Sequence, residues 1–142
     1  MTVICESGVI IGFIIVLDNL AGGSRTTRNR LIPYCLFTDP ELAHVGLHET
    51  EAKSKGIAYR LLKMPMSKVL RMYTLSETRG FCKALIGSDN RILGFTAFGA
   101  EASEMMAVVQ TAMIGNMPAT SLRDAIFTHP TAAEGLKGLF AG

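Results

Sequence analysis

Two apolar runs joined by a short turn constrain the fold of this chain more than any other feature. The runs occupy residues 81–86 and 91–98, and glycine, serine, aspartate and asparagine fill positions 87–90 between them. Apolar runs of this length around such residues are typical of a β-hairpin. Because the two strands of a hairpin are antiparallel, the sequence predicts a sheet in which antiparallel pairing dominates.

In the remaining sequence, strands and short helices come first and helices gather at the C-terminal end. Strand-like stretches cover residues 32–37 and 58–64, and helical patterns cover residues 49–55, 101–116, 121–127 with Ser121 as N-cap, and a last helix opened by Thr131. The helix predicted at residues 101–116 is apolar nearly all round, so it should be covered on more than one side. This order predicts an α+β fold, with a mainly antiparallel β-sheet and helices packed on one face.

The sequence lacks the signatures of several other protein classes. It contains no GxGxxG turn and no Walker loop, which argues against a doubly wound nucleotide-binding sheet. Its 14 Lys and Arg residues nearly balance 12 Asp and Glu residues and are scattered, so no nucleic acid is expected as a partner. With 49% hydrophobic and 18% charged residues among 142, the chain is expected to form one folded domain.

The cysteines predict a reducing environment. Cys5, Cys35 and Cys82 are odd in number and form no CxxC pair, so neither a disulfide framework nor a cysteine metal site is expected. Cys35 and Cys82 lie in strand patterns and should be buried as small hydrophobic residues. We therefore expect a cytoplasmic protein.

An apolar stretch lies near the start of the chain, at residues 8–17. It is about half as long as the roughly 20 residues of a membrane-spanning helix, and no basic segment precedes it as in a signal peptide, so no membrane partner is expected. Its β-branched residues favour a strand buried on both faces, or a segment that packs against something outside the chain.

Residues 18–30, with two glycines and three arginines, are typical of a connector. The chain thus divides into an N-terminal apolar segment and connector, residues 1–30, and a compact domain, residues 31–142.

The strongest local candidate for chemistry is His129 with Glu134. Pro130 biases the backbone of His129 to an extended form, so the imidazole should project from a loop at a helix entrance. Glu134 lies one turn into that helix, within reach of the ring. A carboxylate on one ring nitrogen would fix the tautomer and leave the other nitrogen free for general acid–base catalysis. Thr131 and Glu134 also fit a capping box, in which the glutamate binds the backbone instead, so the local sequence leaves both interpretations open.

A weaker candidate, for a metal site, is formed by His44 and His48. Gly46 between them argues against one helix that presents both rings, and the spacing fixes no third ligand. We therefore expect two surface histidines and no metal site. The methionines of segment 101–117 are expected in the core or in a subunit interface.

Several motifs together resemble one protein family. They are LIPYC at residues 31–35, FTDPELA at 37–43, VGL at 45–47, GFCK at 80–83, ILG at 92–94, and HPT at 129–131 with Glu134. From about Val16 to its end, the sequence resembles the C-terminal dimerisation domain of the FAD-dependent pyridine nucleotide-disulfide oxidoreductases. This family includes dihydrolipoamide dehydrogenase, glutathione reductase and mercuric reductase.

The resemblance implies a role for His129 and its neighbours. In that family two subunits form a homodimer and share each active site, and the histidine of the HPT segment reaches the partner's flavin and redox disulfide. By this resemblance His129 would be the acid–base catalyst, Glu134 would orient it, and His129 and Pro130 would lie against the partner subunit's FAD. A protonated imidazole beside a cysteine stabilises the thiolate, so the role agrees with simple electrostatics. FAD and NAD(P) would be bound by the FAD and NAD domains of the full-length enzyme.

The chain departs from the family in what it lacks. It has no phosphate-binding turn for FAD or NAD and no CxxxxC pair, so alone it is expected to bind neither cofactor and to catalyse no redox reaction. The last residues also lack the paired cysteines of mercuric reductases, which favours a disulfide or dithiol substrate. An alternative is a stand-alone, non-catalytic homodimerisation module that kept the fold and lost the chemistry. A small hydrolase built on the same pair would lack a nucleophile.

Overall fold

The computed structural model describes residues 7–28 and 30–142, and it is a mixture of short strands and helices. The elements in chain order are α1 (Ser7–Leu20), β1 (Tyr34–Leu36), β2 (Leu42–Gly46), α2 (Glu49–Ser54), β3 (Arg60–Pro65), a 3₁₀ turn (Met66–Lys68), α3 (Leu70–Thr74), β4 (Phe81–Ile86), β5 (Ile92–Phe98), α4 (Ala102–Ile114), α5 (Ala119–Asp124) and α6 (Gly135–Phe140). This is the α+β class that the sequence predicts.

The strands form one antiparallel sheet in the order β1-β2-β5-β4-β3. The predicted hairpin is confirmed as β4 and β5, in which Cys82 faces Ala97 and Ala84 faces Phe95. β2 lies between β1 and β5 and was not predicted from the sequence. Its five residues include a histidine and end in a glycine, so they show no alternating apolar pattern that would reveal a strand.

One face of the sheet carries the hydrophobic core. Alternate residues from all five strands are buried on this face, among them Phe95 and Val45. α4 packs against β5 and β2, and α6 packs against β3 and β4. α4 buries Met105 and Met106 here, so these two methionines belong to the core. The predicted arrangement, with helices packed on one face, is confirmed for α4 and α6.

The opposite face carries a polar row that crosses the sheet. The strand registers place one residue of each strand side by side in this row: Tyr34, His44, Thr96, Lys83 and Lys63. The short helix α2 contacts the row through Glu49, whose carboxylate accepts a hydrogen bond of 2.5 Å from Lys83 Nζ. This face is therefore only partly covered.

The N-terminal apolar stretch is helical, so the strand predicted there is wrong. α1 extends to Leu20 and includes the first three residues of the predicted connector. A continuous apolar run has no period that separates helix from strand, and a lone strand would leave its backbone groups unpaired, whereas a helix satisfies them internally. α1 leaves Phe13, Val16 and Leu17 exposed. No described helix combines the length and the apolar character needed to cross a membrane.

The two helices that flank the candidate site begin at other residues than predicted. α5 spans Ala119–Asp124 with Pro118 at its N-cap, so Ser121 lies inside the helix instead of capping it. The fixed φ of proline suits the start of a helix and explains the earlier start. α6 begins at Gly135 and not at Thr131, because residues 132–134 form a turn ahead of it.

Candidate functional site

His129 lies in the loop between α5 and α6. Residues 125–128 have no regular structure, and the peptide bond between His129 and Pro130 is cis. Leu122 in α5 and Leu136 in α6 are buried in the core, so the helices at both ends of the loop are anchored. The His129 side chain is 63% exposed. The ring therefore projects outward from a loop with fixed ends.

Glu134 holds the His129 ring through one nitrogen. Its Oε2 and Oε1 atoms lie 2.8 and 3.1 Å from Nδ1 of the imidazole. An ionised carboxylate only accepts hydrogen bonds, so Nδ1 carries the proton and donates. Among the residues that the structure describes, Nε2 has no hydrogen-bond partner. In the neutral ring, Nε2 is therefore the atom available to take up a proton.

The geometry separates the two interpretations of Thr131 and Glu134. Thr131 Oγ1 accepts a hydrogen bond of 3.2 Å from the Glu134 N–H and donates one of 2.8 Å to the Thr128 carbonyl. This is the threonine half of a capping box. The Glu134 carboxylate does not complete the box but binds the His129 ring. The Thr131 hydroxyl alone thus caps the Glu134 N–H, and the Glu134 carboxylate accepts a hydrogen bond from the His129 ring.

Gly135 fixes where Glu134 lies. A Cβ atom at Gly135 would lie 2.6 Å from Cγ2 of Val69, which is buried in the core. Two carbon atoms do not approach this closely without strong overlap, because their optimal separation is about 3.5–4.0 Å. Only glycine therefore lets the start of α6 approach Val69 so closely, and this sets the position of the Glu134 carboxylate just before it.

A cavity of about 190 Å³ lies beside the pair. It is lined by Lys68, Leu70, His129, Glu134, Gly135 and Gly138. Lys68 and Leu70 follow β3 and are far from His129 in the sequence, so no local pattern connects them to the site. Sequence reasoning missed Lys68 for this reason. Pro130 is exposed next to the ring.

His44 is not the surface histidine that the sequence predicts. It is only 2% exposed, because it belongs to β2 and its ring is enclosed on the polar face of the sheet. Nε2 lies 2.9 Å from the Gly46 carbonyl, which only accepts, so Nδ1 accepts a hydrogen bond of 2.8 Å from the Thr96 hydroxyl. Burial lowers the pKa of His44, although the hydrogen bond to the Gly46 carbonyl opposes this shift.

His48 is exposed, as predicted, and stacks on His44. The ring centroids are 3.6 Å apart, and His48 Nε2 lies 3.1 Å from the Tyr34 hydroxyl. Both nitrogens of His44 are already engaged, so this pair does not offer two free imidazoles to a metal ion. In the described parts of the chain, no three His, Cys, Asp or Glu side chains gather in a way that could hold a metal ion.

Cys35 and Cys82 are both buried, as predicted. Cys82 is not placed for redox chemistry. Burial raises the pKa of the Cys82 thiol to about 11, and the Cys82 Sγ–H donates to the Met64 carbonyl. The thiolate is the reactive form of cysteine, so such a thiol is inert at neutral pH.

Comparison with known proteins identifies relatives over most of the chain. The pyridine nucleotide-disulphide oxidoreductase dimerisation domain matches residues 32–139. A probable pyridine nucleotide-disulfide oxidoreductase of Escherichia coli, RclA, is 35% identical over 130 residues, which cover 89% of this chain and 30% of that protein. The dihydrolipoyl dehydrogenase of Bacillus subtilis is 36% identical over 104 residues, which cover 72% of this chain and 22% of that protein.

The fold agrees with these matches. The solved structure of the HOCl-induced flavoprotein disulfide reductase RclA from Escherichia coli has a TM-score of 0.88 and 34% identity to this chain. The match covers 93% of this chain and 31% of that one, so this chain spans about a third or less of the relatives it matches. The matched residues 32–139 contain the whole sheet together with His129 and Glu134. This chain therefore belongs to the pyridine nucleotide-disulphide oxidoreductase family, as its dimerisation domain.

Proposed function

We propose that this domain pairs with a second copy and supplies His129 and Glu134 to the flavin–disulfide site of the partner subunit, as the acid–base pair of a disulfide reductase. One observation carries the proposal. Glu134 holds Nδ1 of His129 at 2.8 Å, and the ring is exposed with its Nε2 directed away from that bond. An imidazole oriented in this way is suited to exchange a proton with a group outside its own chain.

Thiol–disulfide exchange explains the need for an imidazole. The attacking species is a thiolate, so a substrate thiol must lose its proton as its sulfur bonds to one sulfur of a disulfide. In this proposal Nε2 of His129 takes that proton, and the other sulfur of the disulfide leaves as a thiolate. The Glu134 carboxylate stabilises the imidazolium, and the imidazolium in turn stabilises the new thiolate. Return of the proton from Nε2 to a thiolate restores the neutral ring.

The flavin would be bound by other parts of the enzyme. This sequence has no glycine-rich phosphate turn and no CxxxxC pair, whereas the exposed His129 and Pro130 fit the rim of a site that a second subunit completes. When bound there, FAD would carry electrons from NAD(P)H to the disulfide. The contribution of this chain is to hold the imidazole and to move the proton.

The same proposal assigns roles to the two parts of the chain. Residues 31–142 would form the dimerisation domain of a homodimer, and residues 1–30 would connect it to the FAD and NAD domains. The start of the family match at residue 32 and the exposed apolar side chains of α1 support this division. A reducing, cytoplasmic location would agree with the buried thiol of Cys82.

A domain exchange tests the proposal. In this hybrid, residues 31–142 replace the dimerisation domain of Escherichia coli RclA. His129→Ala should lower disulfide turnover by about 10²–10⁴-fold, the usual effect of losing a general acid–base group. The rate of flavin reduction by NAD(P)H should not change, because that step does not use the imidazole. Glu134→Gln should cause a smaller loss, since an amide oxygen still accepts from Nδ1–H.

Lys53→Gln is the matched control, because this exposed side chain lies on α2, away from His129. It should leave both rates unchanged. If the His129→Ala hybrid kept full disulfide turnover, the acid–base role would be wrong, and the alternative of a non-catalytic homodimerisation module would be favoured.

A further inference from the structure

We propose that Lys68 makes the cavity beside His129 a binding site for a carboxylate, so that the substrate is a disulfide or dithiol that carries one. The inference rests on the proposed function, because it names the substrate class of the same site. The cavity has a volume of about 190 Å³ and is shared by Lys68, His129 and Glu134. A small disulfide that reaches the imidazole therefore lies next to the Lys68 side chain.

The cavity holds one positive and one negative side chain, but among the described residues only the negative one has a partner. Of its six lining residues, only Lys68 and Glu134 carry a formal charge at neutral pH beside the His129 ring. Both carboxylate oxygens of Glu134 are directed at Nδ1 of His129. Within the described part of the chain, Lys68 has no ion pair. Its ammonium group is thus available to an anion without first leaving another partner.

The rest of the cavity does not compete for a charged ligand. Leu70 is apolar, and Gly135 and Gly138 contribute only backbone. A fully apolar pocket would favour a neutral substrate, whereas a pocket in which the one unpaired charge is a cation favours a ligand with one matching anion.

The cavity continues into a larger groove. Lys68 and Gly138 also line a space of about 470 Å³ along β3, where Lys63 is the second charged side chain. No acidic side chain lines this groove. The Lys63 ammonium lies over the Phe81 ring, 4.8 Å from its centroid, on the polar face of the sheet, so Lys68 is the charged side chain that this groove offers to a substrate.

A pair of matched probes tests the inference on the complete 142-residue chain. Lipoate and lipoamide share the same cyclic disulfide and differ in a carboxylate against an amide. Each is titrated while the ring signals of His129 are followed by NMR. Lipoate should bind about two- to fivefold more tightly than lipoamide, the scale of an exposed ion pair.

Substitutions assign the preference to one side chain. Lys68→Gln should abolish the preference for lipoate, Lys68→Arg should restore it, and Lys53→Gln should leave it unchanged. Because Lys68 is exposed, these variants should fold, and retained Tm values verify this. Equal affinities of the two probes, no perturbation of His129 by either, or a preference that survives Lys68→Gln would overturn the inference. None of these results would alter the turnover loss expected of the His129→Ala hybrid, so the two proposals fail separately.

Discussion

At the scale of single residues, the proposed chemistry depends on which nitrogen of His129 carries the proton. The tautomer of a neutral imidazole is set by the hydrogen bond that its other nitrogen makes. Here the only such bond among described residues joins Nδ1 to Glu134. The carboxylate therefore acts as a positioning group, and its removal should be visible at the ring even without a substrate.

We predict that Glu134→Ala abolishes the dominance of the Nδ1–H tautomer. In the unchanged chain, ¹⁵N NMR of the imidazole should show the proton of the neutral ring on Nδ1, because the carboxylate accepts from it. In Glu134→Ala no carboxylate fixes the ring, so the Nε2–H form should become substantially populated.

Thr131→Val provides the matched control for helix capping. It removes the hydroxyl that caps the Glu134 N–H and should cost about 0.5–2 kcal/mol of stability. It leaves the carboxylate in place, so the Nδ1–H tautomer should persist. A tautomer shift of equal size in both variants would mean that the structure of the helix start, and not the Glu134 carboxylate, fixes the tautomer.

The buried His44 makes a second prediction, on stability and pH. Burial is the largest influence and lowers the pKa of His44 in the folded chain. The hydrogen bond to the Gly46 carbonyl and the charge of Glu51 raise this pKa, whereas the charges of His48 and Lys83 lower it. The unfolded chain therefore binds the proton first as the pH falls through about 6.5, the ordinary pKa of histidine. The free energy of unfolding should decrease below that pH until the folded-state pKa is reached.

Urea unfolding at pH 7.5 and pH 5.5 measures this effect. His44→Gln removes the titrating ring, so the loss of stability between the two pH values should be smaller in the variant than in the unchanged chain. The same loss in both proteins would show that His44 does not contribute to it.

At the scale of secondary structure elements, local patterns could be predicted and long-range ones could not. The β4–β5 hairpin is contained in a short segment, so turn chemistry was sufficient to predict it. Spacing placed Glu134 within reach of His129 but could not separate this contact from a capping box. β2 depends on partners more than 50 residues away, such as Thr96 beside His44. The placement of Lys68 beside His129 depends on how α6 packs against the segment after β3, which no local pattern encodes.

Close backbone packing between β2 and β5 gives an element-scale prediction. A Cβ atom at Gly94 would lie 2.1 Å from the Leu47 carbonyl oxygen, and a backbone atom cannot move aside as a flexible side chain can. Gly94→Ala should therefore lower the free energy of unfolding by about 1–3 kcal/mol or more in a urea titration.

Gly12→Ala is the control for the glycine substitution itself. Gly12 lies in α1, and a Cβ atom there would meet nothing within 4 Å. Its stability should be unchanged or raised by up to about 1 kcal/mol, from better helix propensity. A Gly94→Ala protein as stable as the Gly12→Ala protein would contradict the packing described for β2 and β5.

At the scale of the whole molecule, apolar side chains remain exposed on and just after α4, a helix that is only partly buried in the core. Ile114 at the end of α4 is 66% exposed, and Met117 beyond it is also exposed. Large exposed apolar patches mark protein interfaces. A dimerisation domain is expected to bury such residues against a second copy.

Sedimentation of the isolated chain measures its self-association. The unchanged chain should sediment with twice its own mass, and Ile114→Glu should weaken self-association by about tenfold or more, because a charge would be buried at the centre of an apolar contact. Ile114→Leu keeps the apolar surface and should still dimerise. A monomer at all concentrations would contradict the role of this domain in dimerisation.

Under the proposed function, each His129 acts at the redox site of the other subunit, and mixed dimers test this most directly. One RclA hybrid carries His129→Ala, and the other lacks a cysteine of its redox disulfide, so neither is active alone. In a mixed dimer, the intact His129 of one subunit faces the intact disulfide of its partner. Random mixing should restore about a quarter of the unmodified disulfide turnover, since half of the dimers are mixed and each has one complete site of two. Mixed dimers that form and remain inactive would contradict the account.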